Sequence, residues 1–162
     1  MITLNKARVD RWCNWLVYRV AWQRPPDFVI GGQDNLYLRR WHLIPRNPLC
    51  NLYLHQFLRS DDDRALHDHP YPSVSLILAG GYWEISAHKE LGIKHEYFVA
   101  GDCKIRWTGK YAHRIEVDKP CWTLFITGPR YRNWGFYCPQ GWVPWQEFTK
   151  PGKPGETGRG CG

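Results

Sequence analysis

Apolar and polar positions follow two different periods along this chain. From Asn5 to Trp22, the residues Val9, Trp12, Cys13, Leu16, Val17 and Val20 recur at three- and four-residue steps, the spacing of one face of an amphipathic helix. Gln23, Arg24, Pro25 and Pro26 end that pattern. Leu36, Leu38, Trp41 and Leu43 beside prolines and Asn47-Pro48 read as one short strand and a loop. The segment NLYLHQFLRS, residues 51–60, is a clearer strand, and the acidic turn DDDR closes it.

Beyond that turn the chain breaks into short β segments: 65–69, 73–79, 81–86, 94–99, 103–108, 113–117, 122–127 and 133–137. Turn material separates them at Gly80-Gly81, Gly101-Asp102, Gly109-Lys110, Asp118-Lys119-Pro120 and Gly128-Pro129. Short strands at this pitch predict a sandwich or barrel, with the jelly roll among the few all-β solutions of this size. The predicted fold is therefore mainly β, a jelly-roll barrel carrying an N-terminal α-helix. A chain of 162 residues suits one domain. Residues 1–35 give the helix and a linker packed on the barrel, 36–148 the barrel, and 149–162, rich in Gly and Pro, a disordered tail.

Composition sharpens this picture in three ways. Ten Trp, nine Tyr and six Phe favour strands. Lys and Arg outnumber Asp and Glu by 22 to 15, a formal +7, which favours acidic or anionic partners without naming one. The six cysteines include no C-x-x-C pair and follow no secretory leader, so free thiols and a cytoplasmic setting are expected, and a cysteine zinc site is not. No run approaches the roughly 20 apolar residues of a membrane span, so no membrane partner is expected.

The candidate chemistry centres on RALHDHPYPSVSLILAGG, residues 64–81. Positions i and i+2 of a strand share a face, so His67 and His69 can aim at one metal ion while Asp68 points away. Two ligands hold a metal poorly, and His113, at the start of a later segment, is the natural third; His42, His55, His88 and His95 fit less readily. The alternative is a solvated loop pair, with Asp63 and Asp68 as surface partners of Arg64 or a carboxylate there orienting a histidine.

These residues resemble the cupins. His67 and His69 stand at the His-x-His of their first motif, Asp61 at its opening Gly, Ser73 at its Glu and Gly80 at its closing Gly. GDCKIRWTGKYAHRIEV resembles the second motif, with Gly101, Gly109 and His113 in place, Trp107 at its Pro and Val117 at its Asn. The likeness covers residues 61–117, about a third of the chain. Loss of the acidic ligand leaves a three-histidine set similar to that of thiol dioxygenases. The segments YLHQFLRSDDDRALHDHP and GPRYRNWGF also resemble small cupin-like proteins of bacteriophages and prophages, which implies the cytoplasm of a bacterial or infected cell.

The resemblance implies one divalent transition metal on His67, His69 and His113, Fe(II) first, with Zn, Ni, Mn or Cu as alternatives. It implies a dioxygenase-like oxygenase acting on a small molecule or modified residue. Two other readings stand beside it: a non-catalytic binding protein whose basic aromatic surface meets nucleic acid or a host protein, and a metal-dependent isomerase or hydrolase. Substrate-facing candidates are Tyr53, His55 and Phe57, which share a strand face with Arg59, together with Ser73, Arg106 and Tyr111. For the first group the competing expectation is that Leu52, Leu54 and Leu58 form the core and the Tyr53 face meets solvent. Trp134, Phe136, Trp142, Trp145 and Phe148 are expected to pack the barrel rather than stack nucleobases with Arg130 and Arg132. A homodimer is also expected as an option.

Overall fold

The computed structural model describes residues 2–31, 36–60, 65–88, 92–152, 156 and 158–162. In chain order the first elements are β1 (Ile2–Thr3), α1 (Lys6–Leu16), β2 (Phe28–Ile30), β3 (Leu38–His42), β4 (Asn51–Phe57), β5 (Leu66–His67) and β6 (Ser73–Ala79). There follow β7 (Gly81–His88), β8 (Gly92–Val99), β9 (Asp102–Arg106), β10 (His113–Glu116), β11 (Cys121–Thr127), β12 (Gly135–Cys138), β13 (Gly141–Pro144) and a single turn, α2 (Trp145–Phe148). One sheet runs β1-β9-β6-β11-β4-β3-β2 and the other β13-β12-β5-β10-β7-β8. Their neighbours pair antiparallel, and the sheets face each other as a jelly roll, as the strand pattern predicts.

Asn5 opens α1 by accepting a hydrogen bond from the Arg8 backbone N–H at 3.2 Å, the usual role of an N-cap side chain. The helix ends in a π-helical turn at Val17–Ala21, closed by Trp22 N donating to Val17 O at 3.0 Å. Val9 and Cys13 are buried against Trp41, Leu54, Leu76 and Leu78 of the larger sheet. Trp12, expected on that apolar face, is 44% exposed instead.

The helix packs chiefly on β6 and reaches the outer side of β4 at Leu54, while the second sheet covers the inner face of β4. Leu54 is buried beneath α1, and Tyr53, His55 and Phe57 are buried too, at 6, 4 and 8% exposure. The expectation that the Tyr53 face meets solvent is therefore wrong: the strand has no solvent face, as in sheets covered on both sides. Phe57 joins Leu38, Ile77, Tyr82, Phe98, Ile115 and Cys121 in the core between the sheets.

The C-terminal region departs from expectation in two places. Cys138 and Cys161 form a disulfide, leaving Cys13, Cys50, Cys103 and Cys121 free, so the six cysteines are not all thiols. The described part of 149–162, expected to be a disordered tail, is held in place: Gly158 N and Gly160 N both donate to Phe148 O, and Lys150 N donates to Glu156 O. Phe136 stacks on Phe148 at 3.7 Å between ring centroids and Trp134 on Trp145 at 5.8 Å, so these four pack as expected, whereas Trp142 is 40% exposed. The acidic turn with Asp61, Asp63 and Arg64 lies outside the described residues.

Candidate metal centre

Strand register brings the three histidines together. His67 on β5 is the Cα partner of His113 on β10. His69 lies just past the end of β5, where its backbone N–H donates to Gly109 O at 2.9 Å. A Cβ on Gly109 would stand 2.1 Å from His69 O, so a side chain there would push the His69 segment away from the turn that precedes β10. Gly80, between β6 and β7, has φ +75° and a space bounded by Pro120 O, which suits it to the tight turn.

One nitrogen from each of His67, His69 and His113 lies within 4.8 Å of the others. The Nε2 atoms of His69 and His113 are 2.8 Å apart. Burial, then the neighbouring His113, His67 and Arg106, holds the His69 pKa well below the usual imidazole value. Burial and Arg106 bring His113 down to about 4 against the opposing pull of Glu84. Both rings are therefore neutral at neutral pH, the state in which imidazole ligates a metal.

The sequence motif lacks an acid among the ligands, and Ser73, at that position, is buried with its Oγ lacking a hydrogen-bond partner among the described residues. A carboxylate stands behind the site instead. Glu84 on β7, fully buried, places Oε2 3.0 Å from His113 Nδ1. An Nδ1–H directed at that oxygen leaves the Nε2 lone pair of His113 aimed at the other two rings, the orienting arrangement common behind metal-bound histidines. Glu84 also pairs with Arg106 and Lys104, and the Tyr111 hydroxyl donates to its Oε1 at 2.9 Å. Burial alone would raise the Glu84 pKa, but His113, Arg106 and Lys104 hold it well below the usual carboxylate range.

Arg106 and Tyr111, expected to touch substrate, are thus committed to Glu84. A cavity of about 470 Å³ has Lys104, Tyr111, Ser86, Phe98 and Trp107 among its walls, so it meets the Glu84 network rather than the histidine nitrogens. Asp68, expected at the surface, is fully buried in a network of its own. It accepts from Arg132 at 2.6 Å, Gly135 N at 2.9 Å, and Tyr137 OH and Trp142 Nε1 at 3.3 Å each. That network fixes the residue between the two histidines to β12, β13 and the loop before them. Glu84 and the buried role of Asp68 were missed in the sequence; the signal for Glu84 is a lone acid within YWEIS, apolar on either side.

On the other side of the histidines the interior is aromatic. His69 stacks with Tyr71 at 6.0 Å and lies 6.3 Å from Phe125. Phe125 stacks on His55 at 5.3 Å, and His55 on Tyr53 at 5.7 Å. His55 therefore reaches the histidine cluster through Phe125, and Tyr53 through His55 and Phe125, whereas Phe57 packs in the core beyond. Arg40, half-buried on β3, donates from Nε to His55 Nε2 at 2.8 Å and lies over the Tyr53 ring at 4.9 Å. No described carboxylate pairs with its guanidinium. Burial lowers its pKa, and tyrosines 71, 53 and 37 are the groups that oppose this. Arg46 and Arg130 join Arg40 in acting on the Tyr71 hydroxyl, so this side is cationic.

No family model matches the chain, and no curated protein matches it. Solved structures do. Fe(II) HppE superposes with a TM-score of 0.52 at 14% identity, over 65% of this chain and 57% of that one. A cupin superfamily protein from Desulfitobacterium hafniense gives 0.47 at 14% identity, over 57% of this chain and 77% of that one. The DMSP lyase DddQ from Ruegeria pomeroyi gives 0.46 at 18% identity, over 60% and 50%. The chain spans little more than half the length of HppE. At such identities the likeness is one of fold, and the fold is the cupin jelly roll expected from residues 61–117.

Proposed function

We propose that the protein is a metal-dependent enzyme of the oxygenase type that holds one divalent transition metal on His67, His69 and His113 and acts on a small organic anion. The observation that carries this reading is the convergence of three imidazole nitrogens within 4.8 Å, with a buried carboxylate oxygen 3.0 Å from the other ring nitrogen of His113. Neutral imidazoles suit Fe, Zn, Ni or Cu, and three protein ligands leave coordination positions open, which favours catalysis over a closed structural site. The fold shared with Fe(II) HppE supports iron. When bound, Fe(II) supplies the activation of O2 that protein side chains cannot.

The chain's own residues do the rest. Glu84 keeps the His113 proton on Nδ1. Among the described residues, the Arg40 guanidinium meets a neutral ring nitrogen and aromatic faces and no carboxylate. An uncompensated cation of this kind is costly to bury, and a carboxylate or similar anion would satisfy it with paired, charge-assisted hydrogen bonds. Tyr53, His55 and Phe125 form a run of ring contacts from Arg40 to His69, with Tyr71 on the other side of that histidine.

Oxygen uptake by the iron-loaded protein, screened against small thiol, hydroxy and amino acids, tests this reading. Uptake that depends on substrate, with R40L raising KM at least about tenfold for the anionic substrate, is expected. Turnover of the same compounds without oxygen would move the protein to an isomerase or hydrolase. Neither uptake nor turnover would end the enzyme reading.

A further inference from the structure

The outer face of α1 and its π-helical extension carries a surface the metal centre does not use. Trp12, Trp15, Tyr18 and Trp22 are 44, 61, 55 and 74% exposed. Arg8, Arg11 and Arg19 are exposed among them. Within α1, at 100° per residue, Arg8, Arg11, Trp12 and Trp15 fall within an arc of about 100° on the side away from the buried Val9 and Cys13, and Tyr18, Arg19 and Trp22 continue the exposed surface along and just past the π-helical turn. None of the three arginines pairs with a described carboxylate: Asp10 is engaged by Lys6 at 3.1 Å and Asp27 by Arg24. Large rings exposed together in this way mark an interaction surface rather than ordinary scatter.

The chemistry of the face selects among partners. A second copy of this chain docked face to face would set arginines against arginines with no described acid nearby to compensate, an arrangement that disfavours pairing. Single strands of nucleic acid are gripped in grooves that track the backbone while rings stack on successive bases. Here the rings project from a convex helix, and the one contacting pair among them, Tyr18 and Trp22, meets edge to face at 6.0 Å. Indole and phenol rings side by side with guanidiniums match the headgroup layer of a lipid surface. There the apolar bodies of the rings enter the acyl boundary while Trp N–H, Tyr O–H and arginine heads reach polar groups.

We propose that this helix face lays the protein on an anionic lipid bilayer, with Trp12, Trp15, Tyr18 and Trp22 at headgroup depth and Arg8, Arg11 and Arg19 against lipid phosphates. Among the described residues no helix is long and apolar enough to cross a membrane, so the attachment is peripheral. It does not depend on the metal centre.

Co-sedimentation of the full chain with phosphatidylcholine vesicles, with and without phosphatidylserine, tests the proposal. Binding to the phosphatidylserine vesicles is expected, with little to phosphatidylcholine alone, and it should weaken as salt shortens the Debye length. Each arginine near an anionic surface contributes about fivefold, so R8Q/R11Q/R19Q should bind about a hundredfold more weakly. W15S/W22S should also lose binding, and because these positions are exposed both variants should melt with the wild type. Absence of binding to anionic vesicles would overturn the proposal, as would undiminished binding by either variant. Retention on single-stranded DNA, or a dimer, that these variants abolish while vesicles are ignored would assign the face to that partner instead.

Discussion

At the scale of single residues, the candidate centre depends on where protons sit. His113 can present a lone pair on Nε2 because Glu84 faces its Nδ1, and Glu84 can stay ionised while buried because Arg106 and Lys104 neutralise it. Glu84→Gln should therefore do two things. Metal affinity should fall about 10- to 100-fold, as when the partner behind a ligating histidine is removed. Stability should fall by roughly 3–5 kcal/mol, since Arg106 is left buried beside a neutral amide. Competition with a chelating indicator and a thermal melt measure the two effects separately, and a destabilised variant with unchanged affinity would reduce Glu84 to a structural ion-pair partner. His67, His69 and His113 were legible in the sequence because their types and spacing carry the chemistry. Glu84 was not, because its role depends on β7 lying beside β10 in the register that sets Ile115 against Glu84, and strand neighbours far apart in sequence leave no local mark.

At the scale of elements, the alternation within β4 was read correctly and its surroundings were not. Tyr53, His55 and Phe57 do share a face, but α1 covers the opposite one, so both are interior. Periodicity reports which residues share a face and is silent on what covers it. The same limit explains Trp12: its spacing fits the helix stripe, while the packing contact is made by Val9 and Cys13. The C-terminal segment was judged by composition, and Gly and Pro do lower its intrinsic order. What holds it is the contact of Phe148 with Phe136 and the Cys138–Cys161 bridge, neither of which composition can show. A crosslink enclosing a loop of this size, with a sequence separation of 23, contributes about 3 kcal/mol through the unfolded chain. Cys161→Ser should lower the melting temperature in oxidising buffer and expose the segment after Phe148 to protease, and wild type kept in reductant should behave the same way. A melt indifferent to both changes would show that the bridge does not constrain the unfolded chain.

At the scale of the whole molecule, two facing sheets gather histidines into a water-poor interior, and this makes stability depend on pH. His55, His69 and His113 all titrate below the usual imidazole value, chiefly through burial. The unfolded chain therefore takes up protons first as pH falls below about 6.5. Their contribution is constant above that pH and is lost below it, by about 1.4 kcal/mol per pH unit for each histidine, until the folded groups protonate, near 4 for His113. Glu84, held below the usual carboxylate range, adds a loss in the same direction at lower pH. Urea unfolding at pH 8, 7 and 5 should give equal stabilities at the first two and a clear drop at the third. Equal values at all three would mean that these rings are not buried and neutral.

The jelly roll itself was legible from strand pitch and turn residues, and the three-histidine cluster follows from that fold closing as expected. Whether the cluster holds a metal is the claim on which the functional reading turns. Protein loaded with Fe(II) under argon and desalted should retain close to one ion per chain by elemental analysis, and a His67→Ala/His113→Ala variant treated alike should retain almost none. Equal and negligible metal in both would contradict the account.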